Sequence, residues 1–295
     1  MSVNSCPICS QNSSKLIDPD FCNYQLYRCN NCQVVYCSPF KAPVFDFYTE
    51  ADDILSKNRH YKHNPWYSDH PTQKAKILEN GAGKTALDLG CGNGAYLEFV
   101  SKRGFDVVGV DLDKTSLNAA KTRNFSHKAE FFNMTLADVH EKFPDLRFDV
   151  ISAFEVVEHL DNPKEVIELI HKMLKPGGHF IGTLPSFERY LIKKINMVYE
   201  VPPYHLTYWT EKTWKNALEK LFDFKHQFST NDVFCGYMSY QMKHKVLQKN
   251  NWEESKGLAP TIVRAFFSVS FKIESAIEKI TKKGGSFYFE FQKSK

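Results

Sequence analysis

From Lys84 onward, short apolar runs alternate with stretches of helical periodicity. TALDLG is an apolar run of strand length, GCGNGAY a glycine turn, YLEFVSKRG a helix, and DVVGVD a second apolar strand. This βαβ opening predicts an α/β fold, a doubly wound, mostly parallel (Rossmann-like) sheet with ligands at the carboxyl ends of its strands. Further on, TEKTWKNALEKLF places Trp214, Leu218, Leu221 and Phe222 at helical spacing, with Thr210 as a good N-cap. In PTIVRAFFSVSFKIESAIEKI, the residues Ile262, Phe266, Val269, Ile273, Ile277 and Ile280 follow the same period, and Val263 and Phe267 widen the face.

The first forty residues carry a different signal. Cys6-Pro-Ile-Cys9 and Cys29-Asn-Asn-Cys32 are two C-x2-C pairs at a spacing that zinc sites use. Each pair turns tightly enough to aim two thiolates at one ion, and together they complete a tetrahedron. A segment this short builds no apolar core, so zinc would supply its folding energy and the site would be structural. Cys22 and Cys37 lie outside the pairs and read as spare thiols. The expected organisation is a zinc-binding module over 1–40 and a helical linker covering the cofactor site over 41–83. A catalytic domain follows over 84–295, with a helical insertion at 238–285 before the last strand. The linker is rich in aromatic residues, among them Phe45, Phe47, Tyr48, Tyr61, Trp66 and Tyr67.

Two cofactors compete for the glycine turn. Gly90, Gly92 and Ala95 fit the dinucleotide pattern G-x-G-x-x-G/A, which is weak by itself. Gly90, Gly92 and Gly94 behind Asp88 instead resemble the D-x-G-x-G-x-G loop of class I S-adenosylmethionine-dependent methyltransferases of the small-molecule type. A carboxylate two residues before the first glycine does nothing for a pyrophosphate but favours a ligand carrying an ammonium and a sulfonium. Asp111 closes the second strand, where a carboxylate can accept from both ribose hydroxyls, and Asp113 sits one step further out.

The resemblance extends over roughly 84–234. FFNMTLADV matches the third strand and its loop, FDVISAFEVVEHLDNP the fourth strand and its exit, and LKPGGHFIGTLPS the fifth. FDFKHQFSTNDVF then corresponds to the sixth strand and SFYFEFQK to an antiparallel seventh. The resemblance implies a seven-stranded sheet and S-adenosylmethionine as cofactor. It implies cofactor contacts at Asp88, Gly90, Gly92, Gly94, Asp111 and Leu112, at Met134, Thr135 and Leu136 around adenine, and at Phe154.

VPPYHLTYWT (201–210) contains Pro-Pro-Tyr, which resembles the motif of amino-methylating nucleic-acid enzymes. In those enzymes the motif ends the fourth strand and opens on a polar residue. Here it follows the fifth strand and opens on Val201, so both order and chemistry fail. The stretch instead resembles the P-P-x-H-x-x-x-(aromatic)-T segment of small-molecule methyltransferases, including ones with an amino-terminal zinc knuckle. The prolines stiffen a loop that delivers His205. His205 and its rival His159 are the expected catalytic bases, because imidazole titrates near neutral pH.

Composition changes this picture little. In 295 residues the formal charge is +4, so no basic stripe announces a nucleic-acid partner. The expected partner is a small-molecule acceptor. The start MSVNSCPICSQNSS has no apolar core, and no run reaches about 18 apolar residues, so a cytoplasmic enzyme is expected. From Gln241 onward eleven Lys and Arg face five Glu. The basic, aromatic face over 260–281 therefore admits a peripheral membrane surface, a lipid-like acceptor, its own domain, or a second subunit in a homodimer.

Overall fold

The computed structural model describes residues 5–43, 76–188, 201–230, 246, 250, 257–266, 269 and 286–295. The aromatic linker residues Phe45 to Tyr67, and most of the 238–285 insertion, lie outside them.

Five parallel strands form the heart of the molecule: β4 (Thr85–Leu89), β5 (Asp106–Val110), β6 (Ala129–Phe132), β7 (Phe148–Phe154) and β8 (Leu174–Pro185). Their interiors read as near-continuous apolar runs because both faces of the sheet are covered. Alternate residues feed two cores: Leu87, Leu89, Ile151 and Ala153 pack on one face, and Ala86 and Val150 on the other. The seven-stranded order is β10-β11-β8-β7-β4-β5-β6, where β10 is Asp223–Thr230 and β11 is Ser286–Gln292. The last strand runs antiparallel between β8 and β10, so the expected seventh strand completes the sheet from inside rather than at its edge. The chain moves outward from β4 through β5 to β6, then returns to the other side of β4 as β7. That reversal leaves a crevice at the carboxyl ends of β4 and β7.

The amino-terminal segment is a ribbon of β1 (Ser14–Phe21), β2 (Tyr24–Cys29) and β3 (Val35–Ser38), all antiparallel. It does not end within itself. Strand β3 pairs with β9 (Thr207–Tyr208), with Val35 opposite Tyr208 and Tyr36 opposite Thr207. The Cys37 N–H donates to the Leu206 carbonyl at 3.0 Å. Leu26, Val35, Cys37, Leu206 and Tyr208 form a shared core. Cys37 is thus a packed thiol, pushed up to about 12 by burial, and Cys22 stands at the β1–β2 turn.

Helix α4 (Glu211–Leu218) starts at Thr210, whose hydroxyl accepts from Thr213 N in a capping box. Trp214, Leu218 and Phe222 are buried, as the periodicity predicts. Residues 258–266 are helical, and Ile262, Phe266 and Val269 are not buried by the described residues. Among the described residues no helix is long and apolar enough to cross a membrane.

Candidate functional site

Beyond β4 the backbone turns through Gly90, Gly92 and Gly94, all at positive φ, into α1 (Ala95–Ser101). Their roles differ. A Cβ on Gly94 would stand 2.9 Å from Ala120 Cβ on α2 (Lys114–Lys121), and one on Gly90 2.5 Å from Val156 Cγ2. These two glycines allow close packing. A Cβ on Gly92 would meet nothing within 4 Å, so its bare backbone faces open space where a ligand can approach.

Asp111 follows β5 and holds this loop. One carboxylate oxygen accepts from Gly92 N at 2.7 Å and the other from Asp113 N at 2.8 Å. Burial raises its pKa, and these N–H donors oppose the rise. A carboxylate has about four acceptor positions, so capacity remains for two hydroxyls. Asp113 is committed elsewhere: its side chain caps α2 through Thr115 N and Ser116 N. Two braces escape a reading by motif. Asn133 donates to the carbonyls of Asp111 and Leu112, and Arg123 donates to the Asn93 carbonyl and to Glu98.

The expected cofactor residues gather at the carboxyl ends of β4 to β7, but not all by their side chains. Leu112 is half exposed at the rim. Met134 packs partly against the core and borders an open cavity of ≈ 390 Å³ with Asp138, Glu141 and Lys142. The Thr135 hydroxyl accepts from Asp138 N as N-cap of α3 (Leu136–Lys142). Leu136 is buried in the core, so its side chain packs inward instead of lining the crevice. Phe154 ends β7 edge-on to Tyr96, ring centroids 4.7 Å apart. Cys91 is buried, and burial pushes its thiol well up, so it fills space.

Asp88 is 2% exposed and accepts from the Ser152 hydroxyl at 2.7 Å. Burial pushes its pKa up to about 8. A cationic ligand nearby favours the ionised form, so binding releases a proton below that pKa. Affinity for S-adenosylmethionine is expected to rise with pH up to about 8 and then level off. In Asp88→Asn the slope should vanish and the affinity fall; a slope that survives this substitution would discard the assignment. Calorimetry in buffers of different ionisation enthalpy measures both affinity and proton release.

The other side of the crevice holds the histidines. His159 ends a 3-10 turn (Val157–His159) after β7, and its Nδ1 lies 2.8 Å from the Tyr204 carbonyl. His205 stacks edge-on against it with ring centroids 4.7 Å apart. Glu158, the acidic half of the Glu-His pair at the exit of β7, is 1% exposed and reaches both rings: Oε1 lies 3.8 Å from His159 Nε2 and 4.0 Å from His205 Nε2. The Leu206 N–H donates to the Glu158 carbonyl at 2.8 Å, tying the Pro-Pro loop to the exit of β7. His205 is 5% exposed, so the Pro-Pro loop delivers it into a buried position. Burial depresses the pKa of His159 to about 4, which makes it a poor base near neutrality.

At the far end of the ribbon, Cys6, Cys9, Cys29 and Cys32 bring their sulfurs within 4.8 Å of one another. The Cys6–Cys32 and Cys9–Cys29 sulfur separations are 3.5 Å. Zinc–sulfur bonds of about 2.3 Å give a tetrahedral edge of about 3.8 Å, so these residues fit a zinc ion.

Comparison with known proteins agrees with this architecture. Residues 67–225, more than half of the chain, match the family model described as a methyltransferase domain. Ubiquinone biosynthesis O-methyltransferase of Aliivibrio fischeri (strain MJ11) is 37% identical over 126 residues, covering 41% of this chain and 53% of that protein. The enzyme of the same name from Pseudomonas syringae pv. tomato is 34% identical over 132 residues, or 43% and 56%. The chain thus spans about half the length of the curated relatives it matches. Two solved structures share the fold. A chain of the complex between the Haloferax volcanii Trm112 methyltransferase activator and the putative methyltransferase has TM-score 0.56 at 17% identity, covering 85% of this chain and 96% of that one. N-methyltransferase NodS from Bradyrhizobium japonicum with S-adenosyl-L-homocysteine has TM-score 0.52 at 15% identity, covering 84% and 98%. Strand order, glycine loop and family match lead to one assignment: the chain belongs to the methyltransferase-domain family and is built on the class I fold.

Proposed function

We propose that the protein transfers the methyl group of S-adenosylmethionine to a hydroxyl of a small or medium-sized acceptor and releases S-adenosylhomocysteine. One observation carries the cofactor reading: the Gly92 backbone lies open, with its N–H held on the Asp111 carboxylate at the carboxyl ends of β4 and β5. When bound, S-adenosylmethionine supplies an electrophilic methyl group. Asp111 would hold the ribose, Asp88 would balance the positive charge, and the backbone of 134–136 with Leu112 and Phe154 would enclose the adenosine. The relatives named as O-methyltransferases support oxygen over nitrogen or carbon.

On the acceptor side, His205 Nε2 is the group assigned to take the hydroxyl proton. His159 is held too far down to do so and instead anchors the loop through the Tyr204 carbonyl. In His205→Ala, kcat should fall by about two to four orders of magnitude while S-adenosylmethionine affinity stays within about twofold. Unchanged turnover would remove His205 from the chemistry. Turnover by neither variant nor parent, with cofactor still bound, would favour a docking module built on the same fold.

The four cysteines would hold one zinc, closed to substrate because all four positions are filled by protein. The seven described cysteines form no disulfide, which suits a cytoplasmic setting.

A further inference from the structure

We propose that Ser152 is a positioning residue for the cofactor: its hydroxyl turns between two acceptors and so holds the Asp88 carboxyl ready in both of its protonation states. Ser152 lies directly beside Asp88 across the parallel pairing of β4 and β7, and it is buried. Its Oγ lies 2.7 Å from Asp88 Oδ1 and 3.2 Å from the Leu87 carbonyl oxygen. A hydroxyl has one proton to give and lone pairs to receive another. When Asp88 is ionised, Ser152 donates to the carboxylate. When Asp88 is protonated, the carboxyl O–H donates to Ser152 Oγ and the serine proton turns to the Leu87 carbonyl. The pair keeps its hydrogen bond in either state.

Few other groups act on Asp88. Its neighbour across β5 is Gly109, which has no side chain. The Cys91 thiol takes that space, 2.7 Å from where a Gly109 Cβ would stand, and burial keeps it neutral. Burial holds Asp88 in its protonated form, the Ser152 hydroxyl opposes this, and the Asp111 carboxylate beyond β5 adds to it. Among the described residues Asp88 has no cationic partner, so the positive charge that answers it comes with the ligand. When S-adenosylmethionine binds, the Asp88 proton leaves to solvent and the serine proton swings from Leu87 to the carboxylate. No bond of Ser152 breaks in this step.

The consequence is a pH at which the protein becomes ready for its cofactor. Removing the serine hydroxyl withdraws a hydrogen bond that favours the ionised carboxylate, so the free protein keeps the Asp88 proton to higher pH. Below that pH binding has to expel the proton, and affinity falls about tenfold for each unit by which the carboxyl moves up. Well above it Asp88 is already ionised, and loss of the hydroxyl costs little. The role rests on the S-adenosylmethionine reading proposed above and concerns cofactor uptake, not the acceptor side.

The test compares the dissociation constant for S-adenosylmethionine of Ser152→Ala with that of the parent, by calorimetry between about pH 6.5 and about pH 9. Taking the ratio at each pH cancels the ligand's own titration. For a shift of about one unit, the ratio should be about tenfold at pH 7 and about twofold at pH 9. In buffers of different ionisation enthalpy at about pH 8.5, the variant should release about half a proton more than the parent. Ser152→Thr keeps the hydroxyl and should follow the parent's profile, with thermal melting reporting that both variants are folded. In an Asp88→Asn background Ser152→Ala should have no pH-dependent effect. A ratio that is the same at every pH, near unity or not, would overturn the role, because lost packing does not follow a proton. A parent that binds no S-adenosylmethionine would overturn the cofactor reading and this role with it; binding with a constant ratio would overturn the role alone.

Discussion

Replacing Asp111 by alanine is expected to raise the dissociation constant for S-adenosylmethionine by about a hundredfold or more. Each hydrogen bond from a ribose hydroxyl to a buried carboxylate contributes about 1.5 kcal/mol or more, and two are lost together. The same carboxylate positions the loop, because it accepts the Gly92 and Asp113 N–H groups at 2.7 and 2.8 Å. Asp111→Asn keeps one acceptor oxygen and should lie between the two. Asp113→Ala is the control: it removes the cap of α2, costing about 1 kcal/mol of stability, and leaves affinity nearly unchanged. Calorimetry decides the matter, and an Asp111→Ala protein within about threefold of the parent would remove Asp111 from the cofactor site.

Cys29→Ser, or removal of the metal by a chelator, is expected to reach the acceptor side from the opposite end of the ribbon. Structural zinc contributes about 10–16 kcal/mol of apparent binding energy in modules of this size, so its loss should unravel β1–β3. Strand β3 is the partner of β9, and β9 begins two residues after His205. Loss of that pairing frees one side of the Pro-Pro loop, and a misplacement of about 1 Å costs about a hundredfold in rate. Turnover should therefore fall by about that factor. Cofactor affinity should hold within about twofold, because the Gly92–Asp111 contact belongs to the other sheet. Full turnover by metal-stripped protein, with zinc content measured on the same sample, would show that the ribbon does not brace His205.

Features with local causes were legible from residue order. The doubly wound sheet follows from apolar runs of strand length separated by helical periods, and those runs become the doubly covered strands β4 and β5. Thr210 is a helix start because its hydroxyl can satisfy an amide three residues on. The cysteine pairs were legible because a C-x2-C turn orients two sulfurs whatever surrounds it. Gly92 was singled out together with Gly90 and Gly94, and only three-dimensional packing separated them: two of these glycines meet neighbours and one meets open space. In the same way Leu136 and Thr135 lie where the motif puts them, yet one side chain enters the core and the other caps a helix.

Glu158 shows why the remainder was hidden. In sequence it is the acidic half of a Glu-His pair at the exit of the fourth strand, and that local pattern names no distant partner for it. Its role arises from His205, forty-seven positions later, which a stiff loop swings back against it. The two-residue strand β9 is equally invisible, since its partner β3 is some 170 residues earlier. The sequence by itself determined the fold class, the glycine loop and the grouping of four cysteines, because each depends on periodicity or on spacing within a turn. Only the tertiary structure decided that the cysteine ribbon clamps the His205 loop and that Glu158, His159 and His205 share one buried point. Contacts between distant segments are set by how whole elements pack, and no short window of residues records them.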